Sequence, residues 1–180
     1  ISAKPDVTIL ATGATPRNLN FNFPLGDTQI VQGNDVIMDR VTTGDKIVVI
    51  GGKYIGMEVA IKLAKQGKDV SIVDMTEIGS GLNPLLFDHY LKGMHETGVR
   101  MYYNMQVISF TSSGVDILCN TNLLSLDADT IVLAIGTKSN ISLVEDLESL
   151  NTKYCQIGDC KRIGDALYAI RDGAEIGRII

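Results

Sequence analysis

A strand that ends in a glycine turn and runs straight into a helix constrains this chain more than any other feature. Lys46-Ile-Val-Val-Ile50 is followed by Gly51-Gly-Lys-Tyr-Ile-Gly56, and helical periodicity extends from Tyr54 to Gln66. Ile55, Val59 and Leu63 form one stripe of that helix, with Gly56, Ala60 and Ala64 beside it. Small residues on that stripe let a helix pack closely on a sheet. Gly67 is placed to stop the helix. A second apolar strand, Asp69 to Val73, closes on Asp74, about 20 residues after the first glycine. At that distance an acidic side chain reaches an adenosine ribose in a βαβ dinucleotide unit. A lone glycine triplet is a weak signal; strand, turn, helix and acid in this order are a strong one.

One position departs from the G-x-G-x-x-G pattern. Gly51 and Gly56 are its first and third glycines, with Gly52 between, and Lys53 stands where the middle glycine belongs. That glycine lets bare backbone approach a pyrophosphate. A side chain there either points away or takes a phosphate through a charge-assisted bond. Obstruction is the expectation: a Cβ in the path, with left-handed strain on a non-glycine residue, outweighs a solvent-screened charge. Weak binding, tightened by Lys53→Gly, follows from it. Asp74 is read either as a solvated strand end or as accepting from both ribose hydroxyls. The following Met75-Thr76-Glu77 holds no arginine to receive a 2′-phosphate, so NADH is expected over NADPH.

The remaining sequence fits an α/β chain. Its 180 residues suffice for one sizeable core or two small ones. A formal charge of −5 argues against nucleic acid or an anionic membrane as main partner. No apolar run approaches the ~20 residues that span a bilayer. Three cysteines, Cys119, Cys155 and Cys160, are too few for a secreted disulfide scaffold, so a cytoplasmic location is expected. The chain opens without Met on a strand-like run, Asp6 to Leu10, and is read as a piece of a longer polypeptide.

That strand ends in Ala11-Thr12-Gly13, and Pro16, Pro24 and Gly26 mark an irregular connection after it. A small strand (Gln29 to Gln32) and a short helix (Asn34 to Arg40) follow. Asn83-Pro84 reads as the start of a second long helix, stopped by Gly98. Val99 to Tyr103 is a third parallel strand. Then the period shortens: Gln106–Phe110, Val115–Cys119 and Leu123–Leu126 read as an antiparallel meander around Ser112-Ser-Gly114 and Asn120-Thr-Asn122. Thr130 to Ile135 is a buried strand, Cys155 to Gly158 a last short one, and a helix closes the chain from Gly164.

Ala-Thr-Gly at 11 to 13, Gly-Gly-x-Tyr-Ile-Gly-x-Glu at 51 to 58, Ala-x-Gly at 134 to 136 and Gly-Asp at 158 to 159 stand in this order. Together they resemble the two-dinucleotide-domain flavoproteins of the pyridine-nucleotide-disulfide oxidoreductase class. Thr12-Gly-Ala-Thr-Pro-Arg17, Ile78-Gly-Ser-Gly-Leu82 and Ile157-Gly-Asp-Cys160 are similar to the C-terminal part of one branch of the old yellow enzyme family. That branch holds dienoyl-CoA reductases, enoate reductases and NADH oxidases.

The resemblance implies a Rossmann-like, three-layer NAD(P)H domain over about residues 44 to 137. Residues 1 to 43 and 138 to 180 are then partial FAD-domain segments. It implies an N-terminal barrel with FMN and an iron–sulfur cluster, and a first FAD-domain segment, neither within this chain. The expected cofactor residues are Gly51, Gly52, Lys53, Tyr54, Ile55, Gly56, Glu58, Asp74, Met75, Ala134 and Gly136 for NADH. Ala11, Thr12, Gly13, Gly158 and Asp159 are those for FAD. By similarity Tyr54 lies over the nicotinamide pocket and Glu58 faces the carboxamide. Equally, Tyr54 can cap the core and Glu58 can pair with Lys62 at i,i+4. Cys155 and Cys160 are not the family's redox pair, and His89 and His95 lie on different helix faces with no third metal ligand in view. No residue is nominated as catalytic. An alternative function is a nucleotide-fold module that has lost NADH and scaffolds the flavin barrel; a free-standing NAD sensor fits less well. Self-association as a homodimer is expected through the FAD-half strands.

Overall fold

Each βαβ unit follows from an apolar strand, a glycine-closed turn and an amphipathic helix in succession, and the pairing of the strands then sets the layers. The computed structural model describes residues 5–19 and 28–180. Its strands are β1 (Thr8–Leu10), β2 (Ala14–Pro16), β3 (Gln29–Gln32), β4 (Lys46–Ile50), β5 (Asp69–Val73), β6 (Arg100–Tyr102), β7 (Gln106–Thr111), β8 (Gly114–Cys119), β9 (Asn122–Asp127), β10 (Thr130–Leu133), β11 (Thr137–Ser139) and β12 (Tyr154–Gln156). Its α-helices are α1 (Gly33–Ile37), α2 (Tyr54–Lys65), α3 (Pro84–Glu96), α4 (Val144–Ser149) and α5 (Ala166–Ile176). The expected Pro24 and Gly26 connection lies outside the described residues.

Residues 18–136 form one compact unit. Within it a parallel sheet runs in the order β3-β10-β4-β5-β6. Alternation along β4 divides the core. Ile47 and Val49 pack with Met57, Val59, Ala60 and Leu63 of α2 and Met94 of α3. Val48 and Ile50 pack with Phe110, Val115 and Ile117 of the meander β7-β8-β9. Both faces of the sheet are covered, which is why β4, β5 and β10 read as continuous apolar runs. This is the α/β, three-layer, Rossmann-like arrangement with an antiparallel meander.

The caps are those that the sequence signals. The Asn83 side chain accepts from the Leu85 N–H at 3.0 Å, with Pro84 in the first turn of α3. Gly67 and Gly98 follow the two long helices in left-handed backbone. The N-terminal end of the sheet is closed by Asp129, whose carboxylate accepts from the N–H groups of Asp45 and Lys46 and is held below the ordinary carboxylate range by them.

Residues 5–17 and 137–180 belong to a second unit. There β1 and β12 pair in parallel, and β2 and β11 form an antiparallel ribbon. A 3-10 turn at Gly158–Cys160 leads toward α5. The division falls near residue 17, not 43. The reason is β3, which pairs with β10 in the large sheet and carries α1 with it.

Three local expectations change. Lys62 does not pair with Glu58. Its ammonium donates to the carbonyls of Val36 (3.0 Å) and Ile37 (2.9 Å) and to Asp39 (2.6 Å), closing the C-terminal end of α1. Orphan carbonyls and a carboxylate offer a cation more than one exposed glutamate does. Helix α1 consequently ends at Ile37, short of Arg40. On α2, Met57 is fully buried while Ile55 is partly exposed, so the core stripe is rotated from the one read in sequence. No helix among the described residues is long and apolar enough to cross a membrane.

Candidate nucleotide site

The turn after β4 is built by close backbone contacts. Gly51 has φ +107°, and a Cβ there would strike the Ala134 carbonyl. Its N–H donates to the Val73 carbonyl at 2.8 Å, so the turn is pinned to β5. A Cβ on Gly56 would overlap the Gly51 carbonyl oxygen. The first turn of α2 therefore sits directly on the glycine turn, and only glycine at both positions permits it. Ala134, held by its N–H to the Ile50 carbonyl at 2.8 Å, forms the wall behind Gly51, and Gly136 continues that segment in left-handed backbone.

Lys53 is the N-cap of α2, with φ −95° and ψ −169°. That is ordinary extended backbone, so the left-handed strain expected at this position is absent. Its side chain is exposed and makes no capping bond to the helix. The N–H groups of the first helical turn have no acceptor within the helix and carry its positive end.

Asp74 follows β5 and turns back to this loop. Its Oδ2 accepts from the Gly52 N–H at 2.6 Å, and its Oδ1 accepts from the Thr76 N–H and hydroxyl, each at 2.8 Å. About three of the roughly four acceptor positions of a carboxylate are thus used by the protein itself. Accepting two further hydroxyls requires giving up a Thr76 bond. Residues 78–82 fold over the turn, where the Gly79 N–H donates to the Gly52 carbonyl at 2.8 Å. Met75 stands beside Asp74 with 66% of its surface exposed.

Tyr54 is half-buried, its ring 6.0 Å from that of Tyr90 on α3, and its hydroxyl accepts from the Asn83 N–H at 3.4 Å. Burial, the Glu58 carboxylate and Tyr54 together push the Tyr90 phenol above its usual range. Glu58 is exposed and lies near Tyr90. Sequence reading missed Thr76, Gly79 and Tyr90. Gly79 lies in a motif that had been singled out without a role, whereas Thr76 and Tyr90 carry no sequence signal.

In the second unit, the Thr12 hydroxyl donates to the Asn140 carbonyl at 2.6 Å, and the Asn140 N–H donates to the Gly13 carbonyl at 2.9 Å. Ala11 precedes that contact. Gly158 donates its N–H to Asp172 of α5 at 3.1 Å, and Lys161 bridges to the same carboxylate. The Lys161 bond, with that of Gly158, lowers the Asp172 carboxyl below its ordinary range. Asp159 accepts from the Gly164 N–H through Oδ1, while its carbonyl accepts from Ser139. Cys155 and Cys160 are free thiols. Among the described residues no group of three or more His, Cys, Asp or Glu is placed to hold a metal.

A family model described as pyridine nucleotide-disulphide oxidoreductase matches residues 2–172. The cinnamate reductase of Clostridium sporogenes is 28% identical over 97% of this chain and 26% of its own length. An NADH oxidase of Thermoanaerobacter brockii is 28% identical over 96% of this chain and 27% of its own. A solved 2-naphthoyl-CoA reductase in complex with 2-naphthoyl-CoA superposes with a TM-score of 0.85. It is 25% identical, over 98% of this chain and 27% of that one. The chain thus spans about a quarter of the length of these relatives.

Proposed function

The chain belongs to the pyridine nucleotide-disulphide oxidoreductase family, and we propose that residues 18–136 bind NADH and position it for hydride transfer to FAD. The carrying observation is the Asp74 carboxylate bonded at 2.6 Å to the N–H of Gly52, inside a turn that only glycine at 51 and 56 permits. A turn brace of this kind also serves a fold with no ligand. What favours a ligand is the exposed positive end of α2 beside a carboxylate that keeps room for one more donor.

In this reading the first-turn N–H groups of α2 receive the pyrophosphate, Asp74 accepts a ribose hydroxyl, and Tyr54 with Glu58 borders the nicotinamide. The nucleotide supplies the hydride; the protein supplies orientation and charge. Ala11, Thr12, Gly13, Gly158 and Asp159 belong to the part that receives FAD. The finer assignment to the old yellow enzyme branch is supported by the motifs Thr12–Arg17, Ile78–Leu82 and Ile157–Cys160 of this chain. There the complete protein carries FMN and an iron–sulfur cluster on an N-terminal barrel and works in the cytoplasm. The organic substrate is reduced at the barrel, and no residue of this chain acts as a general acid or base.

Lys53 favours one competing reading, a nucleotide-fold module that no longer binds NADH and serves as scaffold. Calorimetric titration with NADH and NADPH separates the two. NADH is expected to bind more tightly than NADPH, and Asp74→Ala to remove most of that preference. Equal affinities, or a preference that survives Asp74→Ala, would overturn the ribose assignment. Failure of both nucleotides to bind would favour the scaffold.

A further inference from the structure

Helix α3 supplies no residue to the glycine turn, yet close contacts tie it to that turn and to Tyr54. The Gly79 N–H donates to the Gly52 carbonyl at 2.8 Å. Phe87, near the start of α3, packs so tightly on Gly79 that a Cβ there would strike its ring. About two turns along α2 from Tyr54, Ile61 meets Gly93 of α3, where an added Cβ would stand 3.0 Å from the Ile61 Cδ1. Tyr90 lies between these two fixed points of α3. Its ring stands 6.0 Å from that of Tyr54, at an interplanar angle of 53°. The Tyr54 hydroxyl accepts from the N–H of Asn83, the N-cap of the same helix, at 3.4 Å. Both parts of the Tyr54 side chain are thus held by α3, the ring by Tyr90 and the hydroxyl by Asn83. The two rings are half-buried and pack against the core between the sheet and the helices. Glu58, one turn along α2 from Tyr54, is exposed and lies near the Tyr90 phenol.

We propose that Tyr90 is a positioning residue for the nicotinamide end of the dinucleotide, acting through Tyr54 and touching no ligand itself. The inference rests on the NADH reading above. Tyr54 is the first residue of α2, at the end of the helix where side chains have fewest neighbours. A tyrosine left free there samples several rotamers, and a ligand that binds against it must select one. The tilted contact with Tyr90 makes that selection before the ligand arrives. Tyr90 can hold a second ring in place because α3 is itself fixed on either side of it, at Phe87 and at Gly93. Burial alone would be served equally by leucine, which lacks the flat face on which another ring rests. The effect reaches only the part of the ligand that Tyr54 borders. The adenosine and pyrophosphate are indifferent to it.

The test is calorimetric titration of the whole chain with NADH and with ADP-ribose, which keeps the pyrophosphate and both riboses but lacks the nicotinamide. Tyr90→Leu is expected to weaken NADH about three- to tenfold, the cost of immobilising a freed side chain, and to leave ADP-ribose unchanged. Tyr90→Phe should retain nearly all of the NADH affinity, because the ring and not the hydroxyl carries the contact. On a Tyr54→Leu background, Tyr90→Leu should cost NADH nothing further, since its effect passes through the side chain already removed. NADH binding that Tyr90→Leu leaves unchanged, or tightens, would overturn the positioning role while leaving the NADH site standing. Equal losses for both ligands would mean that Tyr90 acts through the fold, and would also overturn it. So would full additivity of the two leucine variants, or a Tyr90→Phe chain as weak as Tyr90→Leu. A wild-type chain that does not bind NADH would overturn both this role and the NADH reading.

Discussion

Lys53 decides how well the glycine turn can work. Sequence reading placed two penalties on it, backbone strain and a Cβ in the path of the pyrophosphate. The first is gone, because φ −95° is conformation open to any residue. What remains is a contact set against a charge. An exposed ammonium near a phosphate contributes about 0.2–1 kcal/mol and is screened by salt. Crowding a close-packed contact costs about 1–3 kcal/mol. Sterics should therefore still prevail, by a smaller margin. Lys53→Gly is expected to tighten NADH several-fold, with the gain larger at high salt, where the lost charge matters less. Titration at two salt concentrations measures this. Looser binding of the variant, most marked at low salt, would make Lys53 a phosphate ligand. Asp74 teaches a related point. Its position at the strand end was legible from spacing, but its bonds to Gly52 and Thr76 were not, since they depend on how the loop after it folds back.

At the scale of elements, α2 is held at both ends by other parts of the chain. Its first turn rests on the Gly51 carbonyl through Gly56, and its third turn sends Lys62 to the end of α1. Gly56→Ala would place a methyl group where that carbonyl oxygen lies. The helix must then move off the turn, at a cost of about 1–3 kcal/mol or more. A lowered denaturation midpoint and loss of nucleotide binding are expected together; a stable variant with intact binding would show that the turn tolerates the shift. Strands β4 and β5 were legible to the residue because local apolar runs between glycine turns define them. The ribbon β2–β11 was not read. Its strands are three residues long, and Thr137 pairs with Pro16 across more than half of the chain, so no local periodicity marks it. Helix α4 is only six residues long and buries none of them, so it leaves no amphipathic trace.

For the molecule as a whole, the division near residue 17 was misplaced by sequence reading because β3 joins its sheet through β10, a hundred residues later. Composition could not foresee that pairing. Sequence reading expected association through the strands of the second unit, whereas the largest exposed apolar side chains there lie on and near its helices. Leu167 and Ile170 lie three apart on one face of α5, each 69% exposed, and Leu150 is 73% exposed. The contacts that hold α5 come from elsewhere on it, through Asp172 to Gly158 and Lys161 and through the Asp165 cap. The outward face thus stabilises nothing within its own unit. An apolar stripe of this kind, rimmed by charged residues, promotes association between copies. The chain is expected to form dimers or larger species in light scattering at high concentration. Leu167→Glu with Ile170→Glu should return it to a monomer without lowering its thermal midpoint, since both side chains are already in water. A parent chain that stays monomeric, or a double variant that associates as before, would show that this face is not where copies meet.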